Sequence, residues 1–465
     1  MKKIQSFSIP IIILIFITVI NNLQFEKIVT LTSGIILIFF LIFNKDLNRD
    51  VSSFEKKVNK ISKKIPNTFF ILILFFLTLI VQNKYLNFET ITWDVASYLV
   101  ASSEIDLGFI PLETQWESKG PVLMYIYFFI DLISEGNLVI FKILNDVILF
   151  FISTFIFLIV LKTTNGDKIK GFASGLLFIT FTSKVWYVSG FSEIYCLLFL
   201  SLSIYLFVVS KNNQKICFLI GILISLSSLV NLASALFLIP FLMSYFQSKS
   251  INYPTKKIYS RILGFILPHI IVVLVYFNNG ILDIHFANYV TMPLGYTSDE
   301  SLSSLYELRV WLREMFYFNN FLYFSLFSLL IFYITSNYKE LKKTVLDFYV
   351  LSIFISLAIY FIGSHNYYHH LFYFIFFVPF LISKILNKKY IYLLISLIFI
   401  ASINSFTYSY KDSFSNLQSL DSTLNEYPLY QLSQEIDSYF DNDYSVFALD
   451  YVMVLHYLKK QNFSY

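Results

Sequence analysis

Charged side chains are scarce in this chain: Asp, Glu, Lys and Arg together make up 14% of its 465 residues, against 57% hydrophobic ones. Soluble domains carry roughly 25% charged residues, so an ordinary water-exposed surface cannot account for this composition. Cysteine is almost missing. Cys196 and Cys217 both lie within apolar runs, so no disulfide framework or thiolate metal site is implied. No internal repeat is evident, and no small-residue cleavage site follows the apolar run 9–20 behind Met1-Lys2-Lys3. That run is therefore read as a retained helix, paired with a second one that begins near Ile28, and not as a removed signal peptide. The net charge of +4 says little about partners, because its distribution matters more than its sum; no nucleic-acid partner is expected.

What the chain has instead is a series of apolar runs that approach or reach the ~20 residues needed to cross a bilayer. They fall at about 68–81, 121–134, 138–161, 171–187, 192–210, 216–230, 232–247, 262–277, 321–334, 346–362, 371–383 and 390–405. The expected fold is an all-α polytopic membrane protein. Residues 1–45 read as a helical hairpin, 46–67 as a basic cytoplasmic linker, 68–405 as the transmembrane core, and 406–465 as a tail on the outer side. Lys45, Arg49, Lys56, Lys57, Lys60, Lys63 and Lys64 mark the linker as cytoplasmic under the positive-inside rule. Its Val51, Phe54, Val58 and Ile61 also suit one side of an amphipathic surface helix.

Parity then constrains the rest. The basic loops 162–170, 211–215, 256–261, 339–343 and 384–389 can all be cytoplasmic only if one apolar segment between Asp94 and Lys162 does not cross. The short segment 121–133 is the candidate, lying along the outer surface within one long outer loop, 83–137. About thirteen crossings result, with the amino terminus inside and the carboxyl terminus outside. In the tail, 429–440 has helical periodicity, 444–449 alternates like a strand, and 450–457 is again helical. This gives a short α/β tail, and the chain stops at Tyr465 with little left to complete a sheet.

With this topology the outer side collects most of the residues able to do chemistry. Trp93-Asp94 and Tyr98 open the loop, and Lys119-Gly120-Pro121 closes it. An acid flanked by aromatics at a membrane edge is a site hypothesis, although an interfacial aromatic belt has the same composition. Asp94 and Glu193 together suit either oxygen ligation of a divalent metal or general-base chemistry on a hydroxyl. Ser192-Glu193 also begins a span, where an acid simply complements the helix N-terminus. Lys119 suits a phosphate as a point charge, or it snorkels to the headgroups. His365, His369 and His370 enter a span with Tyr368. On a helix His365 and His369 share a face while His369 and His370 point apart. Arg309 and Arg313, one turn apart around Trp311, fit an anionic headgroup or an ion-paired helix surface.

Taken in order, these residues resemble the GT-C-fold glycosyltransferases that use polyprenyl-phosphate sugars, in particular the aminoarabinose and dolichyl-phosphate-mannose-type transferases. Those chains carry an acid after a first core span, as Trp93-Asp94 does here. Their outer loop ends in Lys-Pro-Pro-Leu, to which Lys119-Gly120-Pro121-Val122 is similar with Gly in place of the first Pro. Ser192-Glu193 resembles their acid at the start of a later span. The stretch from His365 to His370, with Pro379 in the following span, resembles their His-Tyr segment, and Asp283 through Tyr296 fits their outer loop loosely. The likeness covers roughly 68–405.

The resemblance implies transfer of a sugar from a polyprenyl-phosphate carrier to a hydroxyl of a lipid, glycan or protein. The transfer would occur at the outer face of the plasma membrane by one inverting displacement. Asp94 and Glu193 would be catalytic or hold a metal. Lys119, Trp93, Tyr98, His365, Tyr368, His369 and Arg309 would meet the substrate. The cofactor is left open between a divalent cation (magnesium or manganese) and none. The opposing class is a lipid-linked sugar flippase or transporter, for which internal repeats and midplane charges are expected. An inactive scaffold is a further alternative, and retention of both Asp94 and Lys119 argues against it.

Overall fold

The computed structural model describes residues 60–82, 89, 92–182, 190–210, 213–247, 255–298, 347–362, 368–385, 427–440 and 453–459. Every element among them is helical. Three helices, Leu138–Thr163, Ser192–Val209 and Thr255–Asn278, are long and apolar enough to cross a membrane. The hairpin 1–45, the spans expected at 321–334 and 390–405, and the strand expected at 444–449 lie outside the described residues.

In chain order the helices are α1 (Asn67–Gln82), α2 (Trp93–Ser103), α3 (Pro121–Ser134), α4 (Leu138–Thr163), α5 (Lys168–Thr182), α6 (Ser192–Val209) and α7 (Gln214–Val230). A 3-10 turn, Leu232–Phe237, runs into α8 (Leu238–Gln247), which precedes α9 (Thr255–Asn278). After α10 (Leu282–Phe286) a π-helical turn, Ala287–Thr291, leads into α11 (Met292–Ser298). Then come α12 (Phe348–Ile362), a 3-10 turn Tyr368–Leu371, α13 (Phe372–Ile385), α14 (Pro428–Tyr439) and α15 (Met453–Leu458).

Local chemistry sets several of these boundaries. Pro121 and Pro428 stand at the first positions of α3 and α14, where a missing N–H costs nothing. Glu135 ends α3 in the left-handed region and Gly136 follows at φ 74°, a left-handed exit typical of helix C-termini. Asn137 then caps α4, its Oδ1 accepting from the N–H of Val139 at 2.9 Å and of Ile140 at 3.2 Å. Inside the apolar helices, hydroxyls donate back to carbonyls three or four residues earlier, as Ser153, Thr182, Ser203 and Ser352 do. That self-satisfaction lets a polar side chain sit where water is absent.

The core is centred on α13. Residues 371–381 are buried on every face, as an all-round apolar helix requires. By contrast α9 leaves Leu263, Ile270, Ile271 and Leu274 exposed, a surface suited to lipid. It meets α7 through two glycines. A Cβ on Gly221 would stand 2.1 Å from the Arg261 carbonyl oxygen, and one on Gly264 would stand 2.1 Å from that of Phe218. Small residues at a crossing allow this close approach of backbones. Arg261, read from sequence as part of a basic loop, is fully buried. Its Nη1 donates to the Phe241 carbonyl at 2.5 Å, and its guanidinium lies over the Phe207 and Phe241 rings.

Hydrogen bonds tie the helix ends into two groups. At one end Lys168 Nζ reaches the carbonyls of Lys63 and Ile65, Lys170 Nζ reaches that of Ser383, and Ser260 Oγ reaches that of Gln214. At the other, Tyr276 donates to the Pro111 carbonyl, Asn288 Nδ2 to those of Leu112 and Gln115, and Tyr289 to that of Ser228. The tail joins this second end: the Glu89 carboxylate accepts the Leu429 and Tyr430 N–H groups, each at 2.9 Å. His456 Nε2 stands 3.7 Å from Asp131. The 14 residues of α3 extend about 21 Å, short of the ~30 Å hydrocarbon core.

A single cysteine placed at exposed Glu135 or Glu435 should therefore react with an impermeant maleimide from the same side of the membrane. One at exposed Lys215 should react only from the other side. The native cysteines are buried and keep the background low. Labelling of Glu135 and Glu435 from opposite sides would refute the shared end.

Candidate functional site

The site is assembled at the end of the bundle that holds α2, the loop 104–120, the start of α6, the turn at Asn231 and the 3-10 turn before α13. Glu104 organises the loop. It is fully buried, and its carboxylate accepts from the N–H groups of Leu112 and Thr114 and from the Thr114 hydroxyl. Burial pushes its pKa up to about 6, with those hydrogen bonds pulling the other way. Leu112 takes φ 66° within this wrap.

Lys119 is set by the next residue. The Gly120 N–H donates to the Val230 carbonyl at 2.9 Å, and a Cβ there would lie 1.9 Å from the Leu229 carbonyl oxygen and 3.0 Å from the Tyr289 ring. Glycine at 120 thus has a physical reason: the position needs both an N–H and no side chain. Among the described residues no group hydrogen-bonds the Lys119 ammonium. Its charge acts on both Asp94 and His369.

Asp94 lies in the first turn of α2. Burial is the main force raising its pKa to about 6; Lys119 lowers it, and the Glu117 and Glu193 carboxylates raise it. Glu117 is fixed by Ser97 Oγ at 2.9 Å and by the Ser118 N–H at 2.8 Å. Trp93 is 68% exposed. Tyr98 is buried instead, edge-on to Tyr127 and hydrogen-bonded to Ser192, so it forms the floor of the site and offers little open surface.

Glu193 is fully buried at the start of α6. Asn231 Nδ2 donates to its Oε1 at 3.0 Å and Ser192 Oγ to its Oε2 at 3.2 Å. Asn231 is positioned in turn, its Oδ1 accepting from the Ala233 N–H. His369 stacks on Phe191 at 4.6 Å, and the two imidazoles stand 80° apart. Although adjacent in sequence, His369 and His370 both approach Glu193. The ligand atoms of Glu193, His369 and His370 lie within 4.8 Å of one another, with His370 Nε2 3.8 Å from Glu193 Oε1. Burial and the Lys119 charge push the pKa of His369 down to about 3, leaving the ring neutral. Asp94 is not part of this donor group.

Asp94, Lys119, Glu193 and His369 are therefore one electrostatic neighbourhood. His365 and Arg309 lie outside the described residues, and Tyr368 is described by its backbone alone. Sequence reasoning passed over Lys142, Asn145 and Asp146, which are fully buried within α4. Tyr195, two residues beyond Glu193, donates to Asn145. The signal was present: two ionisable residues four apart inside an apolar span are costly and mark function by default.

Comparison of the chain with protein-family models, with curated proteins and with solved structures finds no match. Among the described residues the fold is all-helical, with three helices long and apolar enough to cross a membrane, and Glu193, His369 and His370 cluster at one end.

Gly120→Ala should lower the thermal stability of the folded protein and displace Lys119, since overpacking against a fixed backbone costs about 1–3 kcal/mol. Lys119→Ala, a truncation of a partly exposed side chain, should leave the melting temperature near that of the parent. Equal stability of Gly120→Ala and parent in a thermal melt would refute the close contact.

Proposed function

We propose that the protein is a membrane glycosyltransferase that moves a sugar from a polyprenyl-phosphate carrier to an acceptor hydroxyl on the non-cytoplasmic side. In this reading the chain crosses the plasma membrane about thirteen times and the loop 83–137 lies outside. The observation that carries the proposal is the meeting of Asp94, Lys119 and Glu193, distant in sequence, at one end of an apolar bundle. It supports a base and a phosphate partner acting on a single substrate.

The acceptor hydroxyl attacks the anomeric carbon as the bond from that carbon to the phosphate oxygen breaks. Asp94 takes the hydroxyl proton, and the departing lipid phosphate carries the electron pair away. A carboxyl held near pKa 6 is ionised at neutral pH and basic enough to share a proton in the transition state. Lys119 offsets the negative charge gathering on the phosphate, in a cleft poor enough in water for that charge to count. The exposed Trp93 ring beside Asp94 offers an apolar face to the sugar or the lipid.

Lys142 and Asp146 favour a second reading, because buried charges within a spanning helix are a mark of carriers. Movement of lipid-linked sugar between leaflets by protein unable to transfer sugar from any lipid donor would support a carrier and end the transferase proposal.

Asp94→Asn should abolish transfer while folded protein is retained in the membrane, because an amide keeps the size but cannot act as a base. Near-parental turnover of this variant with a competent lipid donor would remove Asp94 from the chemistry. In the parent, kcat/KM should fall as the pH drops through about 6, since protonation of Asp94 removes the base.

Lys119→Ala should lower kcat/KM roughly ten- to a hundredfold, the loss of about 1.5–3 kcal/mol expected for a charged hydrogen bond. Lys119→Arg should recover only part of it, since a planar fork does not sit where a compact ammonium did. Lys119 also lowers the pKa of Asp94, so the acid limb of the alanine variant should move to higher pH. An unchanged rate and an unchanged limb in a polyprenyl-phosphate sugar assay would sink the phosphate role.

A further inference from the structure

We infer that Glu193, His369 and His370 form a three-ligand binding site for a transition-metal ion of the zinc type. Three donors from two separate elements converge there: the carboxylate from the start of α6 and two imidazoles from the 3-10 turn before α13. Two of the three are positioned by neighbours outside the cluster. Asn231 and Ser192 hold the two carboxylate oxygens, and Phe191 fixes the plane of the His369 ring. Outer partners of this kind orient metal ligands and tune their basicity.

The donor chemistry selects the ion. Magnesium and calcium take oxygen ligands, whereas two imidazole nitrogens with one carboxylate oxygen suit zinc, or cobalt and iron in the same role. Zinc bonds of roughly 2.0–2.2 Å separate tetrahedral ligand atoms by about 3.3 Å. The 3.8 Å between His370 Nε2 and Glu193 Oε1 closes to that by a small side-chain rotation. Three protein ligands leave the fourth position open, the arrangement of zinc sites that bind a further ligand and not of purely structural ones. The Lys119 charge is felt at His369, so a ligand in that position is favoured if it is anionic. The metal site shares Glu193 with the transferase reading but does not depend on it, and metal content can be measured with no sugar donor present.

The experiment uses the full-length protein, purified in lipid nanodiscs with a tag that contains no histidine, stripped with a chelator and reloaded with zinc chloride. Elemental analysis after desalting should find about one zinc per chain. Cobalt substitution should give the visible absorption of a four-coordinate nitrogen–oxygen site. His370→Ala and Glu193→Gln should each weaken zinc affinity on the order of a hundredfold or more and abolish the cobalt spectrum, while His456→Gln, outside the cluster, should retain both. Should Glu193→Gln fail to fold, His370→Gln keeps the volume at a less buried ligand and serves in its place. A parent that holds neither zinc nor cobalt, or variants that bind as well as the parent, would overturn the site. Sugar transfer by metal-free, non-binding protein would overturn the site and leave the transferase reading intact. Zinc binding without sugar transfer from any lipid donor would do the reverse.

Discussion

One backbone hydrogen bond, from the Gly120 N–H to the Val230 carbonyl, joins the two halves of the site. On its near side lies the loop that Glu104 wraps, ending in Lys119; on its far side Asn231 follows at once, reaching back to Glu193. The bond is possible only because no side chain stands between the two backbones. Tyr276 and Asn288 brace the loop from α9 and the π turn after it, while Tyr289 ties that turn to the Ser228 carbonyl of α7. A long loop, which would otherwise be paid for in conformational entropy, is thereby laid along the end of α7.

The site is held against electrostatic resistance. Asp94, Glu117 and Glu193 carry like charges within reach of one another, and burial adds to the cost of ionising Asp94. The sign follows from the direction of the shift: a carboxyl whose pKa is raised on folding stabilises the fold most below its unfolded value. That contribution is lost as the pH climbs from about 3.8 to about 6. At neutral pH Asp94 therefore works against stability, and Lys119 offsets part of that. Reactive clusters are commonly maintained in this way, by surroundings stable enough to tolerate them.

Much of the helical framework is legible in the apolar runs. α1, α3, α4, α6, α7, α12 and α13 begin or end within a few residues of where hydropathy places them, because apolar length is itself the constraint a bilayer imposes. Pro121 and Asn137 announce their helices through capping chemistry. Asp94, Lys119 and Glu193 were recognisable as polar residues at apolar boundaries. Their meeting was not, since it depends on the contact at Gly120 and on the burial of Glu104. Nor did a helical wheel foresee His369 with His370, which meet only because Glu193 from α6 lies within reach of both rings. Arg261 shows the same limit: a cation counted as a loop charge is a buried clamp whose role comes from the Phe207 and Phe241 rings.

The Glu89 carboxylate holds the first N–H groups of α14, a contact spanning 340 positions of sequence. Contacts of that separation form late, because so much chain must be ordered before they close. A ribosome will have made nearly the whole bundle before the partner of Glu89 exists, so the acid waits through most of biosynthesis ahead of α2. The end of the molecule that holds Asp94, Lys119 and Glu193 is then the last to become rigid, after the apolar helices are already in place.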